Sequence, residues 1–399
     1  MRISKSARYV APVLLVSGLA STAFGVGTSA AAARAHATPV VTVSSFTNNF
    51  TAMKTLSSLV KKGSGKIAAI LPDTVSSARY TEFDAPNLTS AFKAAGLTTS
   101  QFIVQNAQGS DATEYTDAQS DISNGAKVLI MDPLDSGTGT KIESYAKSHG
   151  VPVIDYDRLT LGGSRKYYVS FNNVRVGTLI GTGFTSCVTA WKVTKPQVVV
   201  MRGAPTDNNA TLFAQGYLGV LNPLFSAHKY VLVAQPAGTW TPDVAETEFQ
   251  QAYTAHKNIN SAVVPNDENA APIITYLKSL KVPAKTFPIT GQDATLAGLQ
   301  NILAGYQCGT VYKPIYIEAQ AAAALAIYLR AGSTPPKALV NGSTPDTTSK
   351  ANVASVLLIP EWVTSKNMAS TVVADKVVPT TQLCAGATYT ALCKAAGIK

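Results

Sequence analysis

Short apolar runs alternate with longer amphipathic stretches through most of this chain. The alternation extends from Lys66 to Ser170 and begins again after Phe171. Repeated strand–helix–strand units are typical of a parallel sheet with helices on both faces. The pattern therefore predicts an α/β fold with two doubly wound parallel-sheet lobes. It places strands at residues 66–71, 101–104, 128–131, 151–154, 167–170, 197–201, 230–234, 261–264, 286–290, 310–312 and 355–359.

The chain after Tyr312 is too short for a third domain. It contains an Ala-rich helical stretch, a loop rich in Ser, Thr and Pro, and one last strand. We expect these segments to complete the two earlier sheets, with crossings near Phe171, Tyr312 and Pro360 that form a three-stranded hinge. The predicted organisation is a signal peptide at 1–37, an N-terminal extension at 38–65, a first lobe at 66–170 plus 314–359, and a second lobe at 171–313 plus 360–399.

The first 37 residues have the order of an export signal. Arg2, Lys5 and Arg8 precede an apolar stretch at 10–26, and small residues ending in Ala35-His36-Ala37 follow. A membrane anchor is the alternative, but the stretch is short, rich in Gly, Ser and Thr, and interrupted by a proline. We therefore expect an exported protein of the periplasm or of the extracellular or cell-wall zone. The cleavage site lacks the cysteine used for lipid attachment.

Polar clusters follow six of the apolar β-like runs. In an open α/β sheet, ligands bind beyond the carboxyl ends of the strands. Carboxylates, guanidinium groups, an ammonium group and amides, together with the flat faces of Tyr80 and Trp240, suit a neutral polyhydroxy ligand. The clusters predict a sugar site. They are Ser77-Ala78-Arg79-Tyr80, Asp155-Tyr156-Asp157-Arg158, Asp207-Asn208-Asn209, Asn266-Asp267-Glu268-Asn269, Gly291-Gln292-Asp293 and Val311-Tyr312-Lys313-Pro314.

Each cluster also has a purely structural interpretation. Asp157 and Arg158 could form a structural ion pair, and Asn208-Asn209 could form a turn. Asn266-Asp267 and Gln292-Asp293 could cap the helices that follow. The functional interpretation depends on the fact that this mixture of charged and amide side chains recurs at the carboxyl ends of several predicted strands.

Composition narrows the possible functions. The formal net charge is +10, but basic residues form no runs and do not interleave with aromatic residues, which argues against nucleic-acid binding. No Gly-rich strand–helix turn indicates a nucleotide, and no cluster of His or Cys indicates a metal, so we expect no cofactor. The His residues lie outside the clusters, which argues against a Ser–His or Cys–His catalytic device. Asp157 and Asp293 could serve glycoside hydrolysis, so a secreted carbohydrate-active enzyme is an alternative.

The four cysteines of an exported chain imply two disulfides. Sequence alone admits three connectivities. Cys384 and Cys393 are close together near the C-terminus and could join the final turn to a short helix. Cys187 and Cys308 would then form a long-range pair, and this is the connectivity that we predict.

The clusters resemble those of the periplasmic D-xylose-binding proteins, which are type I sugar-binding receptors of ATP-driven importers. The resemblance covers about residues 66–360, and its motifs are specific as a set. They are Tyr156-Asp157-Arg158, Ser170-Phe171, Asp207-Asn208-Asn209-Ala210, Gly291-Gln292-Asp293-Ala294 and Val311-Tyr312-Lys313-Pro314.

The resemblance implies a role for each site residue. Hydrogen bonds to sugar oxygens would come from Arg79, Asp157 and Arg158 in the first lobe. In the second lobe they would come from Asn209, Asn266 and Asp293. Lys313 would act at the hinge, Trp240 would stack on the ring, and Tyr80 stands where the family often has another aromatic residue.

The expected function is therefore an extracytoplasmic receptor of an ABC importer that captures a monosaccharide between two closing lobes. The expected partners are the sugar and the membrane permease, and the expected state is a monomer. Because Tyr80 and Trp240 could fill the space of a hexose hydroxymethyl group, D-xylose is the expected ligand. A sugar-sensing module of a surface receptor is a further alternative.

Overall fold

The structure is a computed structural model that describes residues 38–399. The predicted signal peptide lies outside the described residues. The strands are β1 (Lys66–Leu71), β2 (Phe102–Asn106), β3 (Ala126–Met131), β4 (Val153–Tyr156), β5 (Tyr167–Phe171), β6 (Gln197–Val200), β7 (Val231–Ala234), β8 (Ser261–Val263), β9 (Thr290–Gln292), β10 (Gly309–Tyr312), β11 (Gly342–Pro345), β12 (Asn352–Leu358) and β13 (Glu361–Val363).

Helices alternate with these strands, as the sequence pattern predicts. They are α1 (Ser57–Lys62), α2 (Ala85–Ala95), α3 (Asp111–Ser123), α4 (Ser136–Ser148), α5 (Asn173–Ala190), α6 (Asn208–Ser226), α7 (Pro242–Ala255), α8 (Asp267–Ser279), α9 (Leu296–Leu303), α10 (Ile315–Arg330), α11 (Thr380–Leu383) and α12 (Gly386–Ala395). Short 3₁₀ turns occupy Val43–Ser45, Thr51–Leu56 and Met368–Ser370, and a π-helical turn at Tyr80–Asp84 precedes α2.

The strands form two sheets. The first sheet has the order β11-β12-β5-β4-β3-β1-β2 and is parallel except for its edge strand β11. The second consists of β7-β6-β8 and β9-β10-β13, joined by a parallel bridge between Ala262 and Ile289. Only β13 in the second sheet is antiparallel to its neighbour. The predicted α/β class with two parallel sheets is confirmed.

The chain passes between the sheets at the three predicted places. It leaves the first sheet after Phe171, the last residue of β5, and returns after Tyr312, where α10 packs against β3 and β5. It passes to the second sheet again at Pro360, between β12 and β13. The late segments therefore complete both sheets, as predicted. The function of these crossings as a hinge, and the lobe boundaries drawn from them, stay predictions.

The N-terminal extension is a packed part of the fold. Met53, Leu56 and Leu59 are buried in the same apolar cluster as α10. The Arg330 guanidinium, at the end of α10, donates hydrogen bonds to the carbonyl oxygens of Val60 at 3.0 Å and Gly65 at 2.8 Å. These contacts fix the chain at the start of β1.

Three local features differ from the sequence prediction. Strand β9 begins at Thr290 rather than at residue 286, because Pro288 has no N–H group to donate to a neighbouring strand. Strands β11 and β13 are too short and too polar to show an apolar pattern. Asn208 and Asn209 begin helix α6 rather than form a turn, since the Asp207 carboxylate accepts from the Asn209 N–H at 2.8 Å.

Both disulfides are present in the predicted pairing. Cys187 of α5 is bonded to Cys308, which directly precedes β10, so this bond fixes a helix to the second sheet. Cys384 and Cys393 close a short loop between α11 and α12.

Candidate functional site

The carboxyl ends of the two sheets face a common cavity. Its walls are formed by residues at the carboxyl ends of β1 and β4 in the first sheet, and of β6, β7, β8, β9 and β10 in the second. The structure brings all of the predicted site residues together here: Arg79, Tyr80, Asp157, Arg158, Asn209, Trp240, Asn266, Asp293 and Lys313. Residues far apart in sequence meet because parallel strands all end at the same edge of a sheet.

The Arg79 guanidinium is fully buried between carboxylates. Its Nε and Nη2 atoms donate to Asp84 at 2.8 Å each, and Nη2 also donates to Glu318 at 2.7 Å. Nη1 donates to Asp157 at 2.7 Å. A guanidinium has five N–H groups, so one remains for a ligand. Arg79 therefore mainly holds Asp157 in place.

Asp157 is the most constrained carboxylate of the cavity. Its Oδ2 accepts from the Tyr80 hydroxyl at 3.1 Å, and its own backbone has a left-handed φ of 57°. The Asp157 carbonyl oxygen accepts hydrogen bonds from Tyr168, Ser170 and Asn209 at 2.8–2.9 Å. Burial raises the pKa of Asp157, but the nearby cations, Arg79 first, outweigh it and lower the pKa to about 2. It is an ionised acceptor at neutral pH.

The Arg158 guanidinium makes only long polar contacts within residues 38–399. Its guanidinium lies 3.4 Å from the carbonyl oxygen of Pro133 and 3.5 Å from the Ser76 hydroxyl. Its Nε lies 3.7 Å from a carboxylate oxygen of Asp132 and equally far from one of Asp207. The Arg158 donors are therefore available to a ligand in the cavity.

Asp132 is a buried carboxylate that the sequence prediction missed. It directly follows β3, and neither of its oxygens has a hydrogen-bond partner within residues 38–399. Burial raises the pKa of Asp132 well above its usual value, and Arg158 opposes this increase. The Asp132 carboxyl group lies behind the Arg158 guanidinium.

An aromatic wall forms the second-sheet side of the cavity. Trp240 Nε1 donates to Asp207 Oδ2 at 3.0 Å, and Phe213 packs edge-on against the Trp240 ring at 6.4 Å between centroids. Asp207 also caps α6, so the helix, the carboxylate and the indole hold one another in place. Asn209, in the first turn of α6, donates to the Asp157 carbonyl and accepts from Asn173 at 2.9 Å.

Lys313 and Asp293 form an ion pair at the end of the second sheet. Lys313 Nζ lies 2.9 Å from Asp293 Oδ1 and 3.9 Å from Asp157 Oδ1, so this ammonium group faces carboxylates from both sheets. Burial alone would lower the pKa of Lys313, but Asp293 and Asp157 hold it above its usual value. Asn266 caps α8 and also donates to the Ser76 carbonyl at 3.1 Å.

The cavity has five lining residues that the sequence prediction did not assign to the site: Ser76, Ser77, Asp207, Phe213 and Gln292. Ser77, Asp207 and Gln292 belong to the predicted clusters, so their position at strand ends was the available signal. In the described part of the chain, residues 38–399, the side-chain amide oxygen of Gln292 is buried without a hydrogen-bond partner, which makes it an acceptor for a ligand. Phe213 lies inside α6 and carries no such signal.

Between residues 38 and 399, no group of three or more His, Cys, Asp or Glu side chains is arranged to hold a metal ion. No helix in that part of the chain combines the length and apolar character needed to cross a bilayer.

Comparison with known proteins identifies the family. The model of the periplasmic binding protein domain matches residues 67–334. A D-xylose-binding periplasmic protein of Escherichia coli K12 is 34% identical over 276 residues, which cover 68% of this chain and 80% of the relative. Its counterpart in Haemophilus influenzae is 33% identical, with 68% and 79% covered.

Solved structures show the same fold. A carbohydrate transporter solute binding protein from Chloroflexus aurantiacus, in complex with D-glucose, superimposes with a TM-score of 0.70 at 24% identity. The match covers 79% of this chain and 97% of that protein. The predicted type I fold is confirmed. The chain therefore belongs to the periplasmic binding protein family, in the group that includes the periplasmic proteins named for D-xylose.

Proposed function

We propose that this protein is an exported receptor that captures a monosaccharide, D-xylose, in the cavity between its two sheets and delivers it to the permease of an ABC importer. The observation that carries the proposal is the convergence of the strand-end clusters on one cavity with both donors and acceptors. Membership of the family and the names of the relatives support it.

The arrangement suits hydroxyl groups, which donate and accept. Arg158 and Lys313 supply donors, while Asp157, Asp293 and Gln292 supply acceptors. The Trp240 indole offers a flat face on which the C–H groups of a pyranose ring could stack. Since the polar contacts of the Arg158 guanidinium within residues 38–399 are all long, its fork of N–H groups is the main candidate to bind two ring oxygens.

A pentose suits the proposed site better than a hexose because aromatic rings occupy part of its wall. Tyr80 and Trp240 both line the cavity. An aldopentose pyranose lacks the hydroxymethyl group that these rings would meet. A misdirected hydroxyl would leave a buried polar group unpaired, at a cost of roughly 1–3 kcal/mol, so epimers should bind less tightly.

The geometry favours binding over hydrolysis. A glycosidase needs one carboxyl group that is protonated near neutral pH to act as the general acid. The cations around Asp157 lower its pKa to about 2, which makes it unsuitable as an acid. Asp293 is paired with Lys313 at 2.9 Å. Both carboxylates are placed as fixed hydrogen-bond acceptors.

Capture would require the two lobes to move apart and close again. The three crossings at Phe171, Tyr312 and Pro360 are the proposed hinge, and rigid-body closure of this type is common in two-lobed binding proteins. We propose a monomer that is exported by its first 37 residues.

Calorimetric titration of the purified chain with D-xylose, D-glucose, D-ribose and L-arabinose tests the proposal. We expect D-xylose to bind most tightly. The margin over D-glucose should correspond to about 1–3 kcal/mol, the value of one misfitted group of methylene size. Equal affinity for glucose would make the protein a broader aldose receptor, and no binding of any of the four sugars would refute the monosaccharide assignment.

A further inference from the structure

Several hydrogen bonds between the two sides of this chain cross the cleft beside the cavity. We call residues 76–78, which follow β1, the cleft loop. The Ala78 N–H donates to Glu268 Oε1 at 2.8 Å, and the Ser77 hydroxyl lies 3.3 Å from the same oxygen. Glu268 is in the first turn of α8. A carboxyl group on the second-sheet side of the cleft therefore accepts a hydrogen bond from the backbone on the first-sheet side.

Glu268 is held in place by its own side of the cleft. Asn266 Nδ2 donates to Glu268 Oε2 at 3.2 Å and to the Ser76 carbonyl at 3.1 Å. The Asn266 side chain thus lies between the cleft loop and the carboxylate. The Ser77 hydroxyl also lies 3.0 Å from Asp293 Oδ2, so the cleft loop meets two acidic residues of the second-sheet side.

Glu268 does not line the proposed sugar cavity. It lines a separate pocket on the outer face, together with Ala78 and Glu82. Its hydrogen bond to Ala78 forms only when the two sides of the cleft are together, and it needs no sugar atom. Such a contact stabilises the closed form alone, and a shift of that equilibrium changes the apparent affinity for any ligand of the closed form.

We propose that Glu268 is a positioning residue for ligand capture, which binds the cleft loop and stabilises the closed form without touching the ligand. The proposal rests on the proposed function, since it assumes that a ligand is enclosed by closure. According to this proposal, a residue outside the binding cavity contributes to the affinity for the ligand.

The test compares Glu268→Ala with the conservative Glu268→Gln, which keeps an oxygen acceptor for the Ala78 N–H. Glu82→Ala is the matched control, because Glu82 is an exposed carboxylate of the same pocket and its side chain makes no hydrogen bond within residues 38–399. Stopped-flow kinetics with D-xylose measure the association and dissociation rates of the full-length chain and its variants. If Glu268→Ala does not fold, Glu268→Asp keeps a carboxyl group but withdraws it from the Ala78 N–H.

We expect Glu268→Ala to dissociate its sugar about tenfold faster with little change in the association rate, because leaving the partly buried Ala78 N–H without its acceptor has about that effect. Glu268→Gln should recover most of the difference. Rates of Glu268→Ala, or of Glu268→Asp in its place, that stay within twofold of those of Glu82→Ala would overturn the proposal.

A second measurement separates this proposal from the proposed function. Amide hydrogen exchange of Ala78 without sugar should be slower in Glu82→Ala than in Glu268→Ala, because the carboxylate protects that N–H. If none of the four sugars binds, the monosaccharide assignment fails, and the exchange rates alone decide whether Glu268 holds the cleft loop. Equal exchange rates in the two variants would overturn it.

Discussion

Gly203 lies against the indole of Trp240, so closely that a Cβ atom at Gly203 would stand 2.2 Å from Cζ2 of the ring. On the other side the indole is fixed by its hydrogen bond to Asp207 and by the edge of Phe213. The position of the ring that we propose to stack on the sugar is therefore set by the absence of a side chain at Gly203.

The variant Gly203→Ala should displace Trp240 towards the cavity and weaken sugar binding by at least about tenfold, the equivalent of about 1.4 kcal/mol. Titration calorimetry measures the loss. Gly219→Ala is the control, since a Cβ atom at Gly219 meets nothing within 4 Å. Equal affinity of the two variants would show that Trp240 does not contact the sugar.

Trp240 illustrates what the sequence can predict about this site. Its flat aromatic face made Trp240 a candidate, and the resemblance to the periplasmic D-xylose-binding proteins implied its stacking role. The polar clusters could be assigned to one site because the edge of a parallel sheet brings them together. The roles of Gly203 and Phe213 depend on packing across more than one element, which no spacing along the chain encodes.

Arg79 shows a second limit of the sequence prediction. Its position after β1 predicts a ligand donor, whereas the structure directs most of its N–H groups to Asp84, Asp157 and Glu318. Glu318 is in α10, more than two hundred residues away in the chain. The tertiary structure decides which carboxylates accept the hydrogen bonds of a buried guanidinium, and the sequence around Arg79 does not show this.

Arg158 should contribute more to binding than any other donor of the cavity, because its contacts with the protein are long, at 3.4–3.7 Å. Arg158→Ala should weaken sugar binding by at least about 2 kcal/mol, since it leaves buried sugar oxygens without a partner. Arg158→Lys keeps the charge near Asp132 but loses the fork of donors, so its affinity should be intermediate. Calorimetry with Arg175→Ala as an exposed control measures both effects. Near-wild-type affinity of Arg158→Ala would remove Arg158 from the site.

The two disulfides should differ in their effect on stability. Cys187 and Cys308 are separated by 121 residues and Cys384 and Cys393 by 9. Loop-closure entropy predicts a loss of roughly 5 kcal/mol for the long loop and about 3 kcal/mol for the short one as upper values. Paired Cys→Ala variants, unfolded in urea under non-reducing conditions, measure the difference. A larger loss at the C-terminal pair would contradict the entropic argument.

Glu114 of α3 has a fully buried carboxyl group, and its only side-chain hydrogen bonds among residues 38–399 come from the Leu134 N–H, at 3.3 Å. Burial raises its pKa from 4.5 to about 8, although the Leu134 N–H opposes the increase. A raised pKa means that the folded protein retains a proton which the unfolded chain releases. The contribution to stability is therefore complete below about pH 4.5 and declines as the pH rises towards 8.

Replacement of Glu114 by Gln should remove this pH dependence, because the amide stays neutral and can still accept the Leu134 hydrogen bond. Between pH 5 and 8 the free energy of unfolding of the wild type should fall relative to that of Glu114→Gln by up to about 1.4 kcal/mol per pH unit. Urea unfolding at several pH values measures the difference, and Glu82→Gln, at an exposed carboxylate, should follow the wild type. Parallel pH profiles for the wild type and Glu114→Gln would show that Glu114 is ionised in the folded protein across this range.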